Sequence, residues 1–172
     1  MVFEGAQGLK LDEFAPDYPH VTRSRTGSPN IITLCRESGI SDIDLHYVSR
    51  SYLTRHGNGP LRNEVAQHPY GWTGLETNQD HEFQGRFRYA KLDPAILTRD
   101  ISLDAVQWMG TGITVRPTLA LTCFDQLPIS DAAMLITGIR LTSGIKIGHT
   151  AFGPTRETVI ENESYAQSSR AS

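Results

Sequence analysis

The chain has 172 residues, of which 38% are hydrophobic and 20% charged, and its formal net charge is −3. This length suffices for one domain with a buried core. The small negative charge offers no general attraction to nucleic acid or to a membrane surface, so any anion-binding site must be local. No stretch is long and apolar enough for a membrane span, and the N-terminus lacks a basic region followed by an apolar one. We therefore expect a cytoplasmic protein whose partners are small molecules or proteins, with no nucleic acid and no membrane among them.

The cysteines and histidines show no metal-binding pattern. Cys35 and Cys123 are far apart and share no motif, which favours two reduced thiols. The six histidines form no His-x-x-x-His arrangement, and His81-Glu82 lacks the second histidine of a zinc helix. We therefore expect no metal site built by this chain.

The N-terminal stretch has the pattern of a strand that leads into a binding loop. Val2 and Phe3 precede Gly5-Ala6-Gln7-Gly8, and glycine permits both a sharp turn and a close approach of backbone to ligand. The pattern begins at Met1, without the strands and helices that normally precede such a loop in an α/β domain.

Three helices are predicted from capping signals. Ser28-Pro29 and Asp93-Pro94 each combine a capping side chain with a first-turn proline, and Gly39 is expected to end the first helix. The third helix is expected to run from a Ser130 cap to Ser143. The second helix is expected to bury a single face made of Ile96, Leu97, Ile101, Leu103 and Val106.

Strands are predicted at residues 43–54, 118–122 and 145–150, the last being the final strand. Glycine-rich or polar loops lie at residues 55–60 and 80–88. Strands that alternate with helices predict an α/β fold, a mostly parallel sheet flanked by helices with a ligand site along its carboxyl edge. The fold is expected to cover residues 1–160, and residues 161–172 to form a polar, disordered tail.

The loops carry side chains suited to an anionic ligand. Gln7 can both donate and accept hydrogen bonds, Thr22 and Ser24 offer hydroxyls, and arginine forks match phosphate or carboxylate. The arginines in these loops are Arg23, Arg25, Arg55, Arg86 and Arg88. For any one of them, the alternative is solvation or an ion pair with Asp12, Asp17 or Glu64. The sequence contains neither a nucleophile triad nor a Gly-x-x-x-x-Gly-Lys-Ser/Thr phosphate loop.

Five motifs in order resemble the C-terminal part of adenylosuccinate synthetases. They are Phe3-Glu4-Gly5-Ala6-Gln7-Gly8 with Tyr18-Pro19-His20-Val21-Thr22; Thr54-Arg55-His56-Gly57-Asn58-Gly59-Pro60 with Glu64; Gly85-Arg86-Phe87-Arg88 with Leu92-Asp93; Leu121-Thr122-Cys123-Phe124-Asp125; and Gly153-Pro154-Thr155-Arg156-Glu157-Thr158. The resemblance implies the C-terminal half of that family's P-loop-NTPase-like fold. It also implies a ligase reaction in which GTP phosphorylates the six-oxygen of IMP and the amine of aspartate displaces that phosphate.

The resemblance also implies three groups of binding residues. The substrate nucleotide would be held by Gln7, Gly8, Thr22, His56 and Arg86. Aspartate would be held by Gln84, Gly85, Arg86 and Arg88. The triphosphate nucleotide would be held by Arg88, Cys123, Asp125, Ala151, Phe152, Gly153 and Pro154.

Several of these positions depart from the family pattern. His56 stands where an apolar residue near the ribose is usual, Phe83-Gln84 replace paired threonines, and Cys123 replaces a lysine. Ala151-Phe152 stand in place of Ser-Thr. The changed base pocket and aspartate loop are similar to phage relatives that act on dGMP with ATP or dATP, which is an alternative to IMP with GTP.

The motifs of the family's N-terminal half, which supply the catalytic aspartate, a Mg²⁺ ligand and the general-acid histidine, do not occur in these residues. We therefore expect Mg²⁺ to serve the complete enzyme without ligands from this chain, and the chain to be inactive alone. Its partner would be a polypeptide with the N-terminal half, or further copies of itself in a homo-oligomer. The other alternative is a non-catalytic remnant that binds purine nucleotides or only assembles with other subunits.

Overall fold

The computed structural model describes residues 1–74, 76, 78 and 80–162. Residues 163–172, most of the predicted tail, lie outside the described residues. The helices are α1 (Pro29–Glu37), α2 (Pro94–Ala105) and α3 (Ile129–Thr142). The strands are β1 (Asp42–Arg50), β2 (Tyr52–His56), β3 (Glu64–Val65), β4 (Phe87–Lys91), β5 (Thr114–Thr122), β6 (Lys146–Ala151) and β7 (Val159–Glu161). Short 3-10 turns occur at Leu9–Leu11, Phe124–Gln126 and Arg156–Thr158.

The main sheet has the order β1-β5-β6-β7. Strands β5 and β6 are parallel, and β7 runs antiparallel to β6 at the edge. This confirms the predicted α/β fold, with a mostly parallel sheet and flanking helices. The prediction of a final strand ending at Thr150 is wrong, because the chain returns after β6 to add β7 to the sheet.

A second sheet of three antiparallel strands, in the order β2-β4-β3, was not predicted. The single strand predicted at residues 43–54 is divided at Ser51, and its two parts belong to different sheets. Ser51 is fully buried, and its amide donates to the Thr122 carbonyl at 2.9 Å. This bond joins the junction between β1 and β2 to the last residue of β5.

Helices α1 and α2 begin where predicted, but only α2 has the predicted capping hydrogen bond. Asp93 caps α2 as expected, since its carboxylate accepts the Ala95 amide at 2.9 Å. The Ser28 side chain makes no capping bond to α1. The Ser28 amide instead donates to the Asp104 carboxylate at 2.9 Å, so a buried aspartate from α2 anchors the start of α1.

The other helix predictions are mixed. Gly39 ends α1 with a φ of +67°, as expected. Pro128, not Ser130, precedes α3. On α2 only Ile96 and Ile101 of the predicted apolar face are buried, while Leu103 and Val106 are 59% and 62% exposed.

Two compact units can be distinguished in the chain, Met1–Leu45 with Ile96–Arg116, and His46–Ala95 with the residues from Pro117 onward. The first unit has Ile32, Cys35, Ile96 and Ile101 in its core. The second buries its largest apolar side chains on the main sheet and on α3, among them Leu119, Leu121 and Ile139, which are fully inaccessible to solvent. Removing such side chains from water is the main term that stabilises each unit.

Among the described residues, no helix has the length and apolar character needed to cross a membrane.

Candidate functional site

The opening residues form an extended loop rather than the end of a strand. No strand is assigned over residues 1–8, and a 3-10 turn begins directly after Gly8. Gln7 has a φ of +67°, a left-handed conformation that is uncommon for a residue with a side chain. The Gly8 carbonyl accepts the Leu11 amide and the Thr26 hydroxyl, both at 2.8 Å. The loop is therefore anchored by its carbonyl at Gly8, and the Gln7 side chain is exposed to solvent.

The loop that carries Thr22 is organised around the carboxylate of Asp12. This carboxylate accepts the amides of Phe14 and Thr26, at 3.1 and 2.7 Å, and pairs with Arg25. Burial alone would raise the pKa of Asp12, but these hydrogen bonds and the Arg25 charge hold it below its usual range. Arg25 is thus committed to an ion pair, the alternative to ligand binding that the sequence left open.

Two glycine loops of the second unit are packed directly against each other. Gly57 and Gly85 both have positive φ, +67° and +77°, and the Gly57 amide donates to the Arg86 carbonyl at 2.8 Å. A Cβ added at Gly57 would lie 2.5 Å from the carbonyl oxygen of Gln84, and one added at Gly85 would lie 2.9 Å from the Gly57 Cα. Glycine is therefore required at both positions by backbone conformation and by space.

The loop before β4 is closed by its own backbone. The amides and carbonyls of His81 and Gly85 exchange two hydrogen bonds, at 3.1 and 2.7 Å. Between them, Gln84 is exposed and the Phe83 ring is 85% exposed. Asp80 fixes the far end by accepting the Phe87 amide at 2.7 Å.

The two arginines of this loop differ in what they contact. The Arg88 guanidinium donates to both oxygens of the Glu64 carboxylate and, through Nη1, to the carbonyls of Gly57 and Gly59 at 2.7 and 2.9 Å. Arg86 is exposed, and no hydrogen bond or ion pair joins its guanidinium to any residue that the structure describes. Arg86 thus keeps all its donors, whereas four of the five N–H groups of Arg88 are occupied.

His56 ends β2 beside this pair of loops. Its ring packs against the Phe87 ring with 4.8 Å between centroids. Its buried Nδ1 has no hydrogen-bond partner among the described residues. The His56 ring is therefore held by packing against Phe87, and its Nδ1 makes no hydrogen bond that stabilises the described fold.

The predicted base-binding residues lie where β5 leads into a 3-10 turn. Cys123 has a φ of +63°, and its carbonyl accepts the Ser51 hydroxyl at 3.0 Å. Burial raises the pKa of the neighbouring Tyr52 to about 12, and the nearby Cys123 adds to the rise, so Tyr52 is a neutral phenol at physiological pH. Asp125, two residues later, is exposed.

The segment after β6 contacts the 3-10 turn that follows β5 through Phe152. Its ring meets the buried Phe124 ring edge to face at 5.8 Å, and the residue is 44% exposed. Ala151, the last residue of β6, is buried, whereas Pro154 is exposed. A Cβ at Gly153 would lie 3.1 Å from the Thr158 side chain, so the turn after Phe152 packs closely on Thr158.

Sequence similarity places these loops in a known family. A profile of adenylosuccinate synthetase matches residues 1–88. The chain belongs to the adenylosuccinate synthetase family. It is similar to the synthetase of Herminiimonas arsenicoxydans, with 31% identity over 154 residues that make up 86% of this chain and 31% of the relative. It is also similar to that of Pseudomonas fluorescens strain Pf0-1, with 32% identity over 87% of this chain and 33% of the relative.

Two solved structures show the same fold. The succinoaminodeoxyadenylate synthetase of cyanophage S-2L, bound to dGMP and dATP, has a TM-score of 0.63 at 19% identity over 97% of this chain and 47% of that one. The fully ligated adenylosuccinate synthetase of Plasmodium falciparum has a TM-score of 0.60 at 18% identity, over 92% of this chain and 49% of that one. The chain spans about a third of the length of the curated relatives that it matches.

The structure brings together some of the residues assigned from the family resemblance. Gln84, Gly85 and Arg86 lie beside the loop that follows His56, and Cys123 and Asp125 flank the Phe124 side chain that contacts Phe152. Gln7, Gly8 and Thr22 belong to the first unit, where Thr22 donates its amide to the Leu11 carbonyl at 2.8 Å. Ligand contacts for all of these residues stay a prediction.

Two features of the site were not specified from the sequence, although both lie within or next to the family motifs. Glu64 was expected only as one of three possible ion-pair partners of the loop arginines, and its bidentate pairing with Arg88 was not foreseen. Ser51 was placed inside a continuous strand. Nothing near Ser51 in sequence points to its contact with Cys123, because the two residues are 72 positions apart.

The described residues contain no cluster of metal-ligating side chains. None of their His, Cys, Asp and Glu side chains form a group of three or more that could hold a metal ion. We therefore assign no residue of this chain to the Mg²⁺ that the family's nucleotide chemistry uses.

Proposed function

We propose that this chain provides purine-nucleotide and aspartate binding for an adenylosuccinate synthetase-type ligase. The reaction would join aspartate to a purine nucleoside monophosphate at the expense of a nucleoside triphosphate, with IMP and GTP as the first candidates. Membership of the family supports the reaction class. The cytoplasmic location expected from the sequence stays a prediction.

The observation that carries the proposal is the contrast between Arg86 and Arg88. Arg86 is an exposed guanidinium with all its donors free, on a backbone that Gly57 and Gly85 fix by direct contact. A guanidinium fork matches the geometry of a phosphate or carboxylate and binds either in a bidentate manner. We propose that Arg86 contacts the substrate anion, whereas Arg88 acts mainly on the loop next to it.

Asp125 and Phe152 support a role in binding the base of the triphosphate nucleotide. A carboxylate can accept hydrogen bonds from the ring N–H and the amino group of guanine, and adenine offers no such pair of donors. The exposed part of Phe152 gives a base an aromatic surface on which to stack. GTP is therefore the first candidate for the triphosphate.

The second candidate is a reaction of dGMP with ATP or dATP. It is favoured by the thiol of Cys123 and the ring of Phe152, which change the pocket that the family builds from lysine and hydroxyl residues. The phage synthetase of similar fold was determined with dGMP and dATP bound. Each hydrogen bond that the pocket no longer makes to a guanine base weakens GTP binding by about 1–3 kcal/mol. This is enough to change which triphosphate is preferred.

Isothermal titration calorimetry of the 172-residue chain with IMP, GMP and dGMP tests the proposal. We expect at least one of them to bind, and Arg86→Gln to weaken binding by roughly tenfold, as for a lost hydrogen bond to a charged group. Arg36→Gln, a change of the same kind on the exposed surface of α1, serves as the control and should bind like the unchanged chain. If none of the three nucleotides binds, the proposal fails, and an assembly role or a degenerate fragment remains for this chain.

A second experiment tests catalysis. We expect the 172-residue polypeptide on its own to form no adenylosuccinate-type product from purine monophosphate, aspartate, Mg²⁺ and GTP or ATP. Addition of a polypeptide with the family's phosphate loop and general-acid histidine should restore turnover. Turnover by the unsupplemented chain would contradict this part of the proposal.

A further inference from the structure

We propose that Glu64 is a positioning residue for nucleotide binding, which acts through Arg88 on the loop at residues 57–59 and so leaves Arg86 as the anion-binding cation. This inference rests on the proposed function, because it assumes that Arg86 contacts the substrate anion. It assigns a role to a carboxylate that does not itself contact a ligand.

The geometry shows a relay from Glu64 to the loop backbone. Both carboxylate oxygens accept from Arg88, one from Nε at 2.8 Å and the other from Nη2. This bidentate arrangement fixes the plane of the guanidinium and turns Nη1 toward the carbonyls of Gly57 and Gly59. A single point-like partner would leave the guanidinium free to rotate.

Guanidinium groups and the neighbouring loop hold this loop through its backbone. Arg55 donates to the Asn58 carbonyl at 2.9 Å, so three consecutive carbonyls of the loop accept from guanidinium groups. Gly57 contacts the Gly85 backbone directly and bonds to the Arg86 carbonyl. A shift of the loop would therefore move the backbone that carries Arg86.

Glu64 also keeps Arg88 in an ion pair. Arg86 and Arg88 are two residues apart on the same segment, and of the two only Arg88 pairs with a carboxylate among the described residues. The hydrogen bond and charge of Arg88 lower the pKa of Glu64, and the charge of Arg86 adds to this effect. Glu64 is therefore ionised, and the pair stays formed, at every physiological pH.

The test uses the 172-residue chain with Glu64→Gln, Arg88→Gln and the double variant. Binding of IMP, GMP and dGMP is measured by calorimetry, and hydrogen exchange of the Gly57 amide by NMR. We expect Glu64→Gln to weaken nucleotide binding by roughly tenfold, because the loop that supports Arg86 loses a charged hydrogen bond that holds it in place. We expect the double variant to bind like the Arg88→Gln variant, because Glu64 acts through Arg88.

Arg116→Gln is the matched control. Arg116 also bridges carboxylates, those of Asp42 and Asp44, but holds no loop of the proposed site. It should leave nucleotide binding unchanged. Urea unfolding of all variants shows whether a loss of binding reflects a loss of folded protein.

Two results would overturn the inference. One is unchanged affinity in the Glu64→Gln variant, and the other is an additive effect of the two substitutions, which would mean that they act separately. If the unchanged chain binds no nucleotide, the proposed function fails. Exchange of the Gly57 amide then still decides the role of Glu64, since the relay predicts faster exchange in Glu64→Gln without any ligand and equal exchange contradicts it.

Discussion

Two loops of the molecule are held in place by groups of opposite charge. In the first unit, the Asp12 carboxylate collects the amides of Phe14 and Thr26 and the guanidinium of Arg25. In the second, the Arg88 guanidinium collects the carbonyls of Gly57 and Gly59. The carboxylate thus accepts hydrogen bonds from backbone amides of its loop, whereas the guanidinium donates hydrogen bonds to backbone carbonyls of its loop.

The comparison shows that a charged residue in these loops can hold the backbone of its own loop instead of contacting a ligand. Both central groups are neutralised within the chain, Asp12 by Arg25 and Arg88 by Glu64. Arg86, on the neighbouring loop at residues 80–88, is a cation without a carboxylate partner among the described residues. The experiments below test whether the two loops depend on their central groups and contacts in the way described.

The largest effect is expected from Gly57→Ala in the second loop. The new Cβ would lie 2.5 Å from the Gln84 carbonyl oxygen, in a conformation with a φ of +67°. We expect a loss of about 2–4 kcal/mol in the free energy of unfolding, from left-handed strain and overlap together. Urea unfolding measures it.

Gly39→Ala separates these two causes. Gly39 has the same φ of +67°, but a Cβ added there would meet nothing within 4 Å apart from its neighbours in the chain. It should lose only about 1 kcal/mol, the strain alone. Equal losses at positions 57 and 39 would show that the contact between the two glycine loops contributes nothing.

A smaller effect is expected where the first loop continues into α1. Asp104→Ala removes the carboxylate that accepts the Ser28 amide and leaves a buried donor without that acceptor. We expect a loss of about 2 kcal/mol in unfolding free energy. Asp104→Asn, which keeps an oxygen acceptor, should recover part of it, and a larger loss in Ser28→Ala would contradict our assignment of the anchor.

Asp12→Asn should destabilise the first loop by about 1 kcal/mol at neutral pH. Because the pKa of Asp12 is lowered in the folded chain, its carboxylate stabilises the fold above the unfolded value of about 3.8, and this contribution is lost as pH falls through the folded pKa. The difference in unfolding free energy between the unchanged chain and the Asp12→Asn variant should therefore become smaller at acid pH. Urea unfolding between pH 7 and pH 3 measures it, and a constant difference would rule out the carboxylate charge as its source.

The smallest effect is expected from Arg116→Gln. Arg116, Asp42 and Asp44 are all exposed, and such ion pairs are screened by solvent. We expect no measurable change in stability. A clear loss would show that ion pairs by themselves hold this protein together, and would weaken the distinction between the two loops.

The sequence predicted the parts of the fold that depend on local signals. The positions of α1, α2 and β6, the left-handed end of α1 at Gly39 and the parallel sheet all follow from caps, glycines and apolar runs. The possible pairing of loop arginines with Asp12 and Glu64 was also foreseen, and both ion pairs occur.

The remaining features depend on partners that are distant in sequence. Asp104 anchors the start of α1 from 76 positions away, where Ser28 alone was expected to cap the helix. The expected strand is divided at Ser51, whose amide and hydroxyl donate to the carbonyls of Thr122 and Cys123. The antiparallel sheet requires β2 to pair with β4 across an irregular stretch that shows no period. Within the candidate site, the different contacts of Arg86 and Arg88 could not be predicted from their order, because both are arginines on one loop.

The bond between Ser51 and Cys123 has a consequence for how this pocket can evolve. The fold holds Cys123 by its main-chain carbonyl and leaves the thiol out of that bond. A substitution at position 123 can therefore change the side chain while this main-chain bond is kept, provided that the new residue accepts the φ of +63°. If the proposed base contact exists, the nucleotide preference could change through side chains on an unchanged backbone.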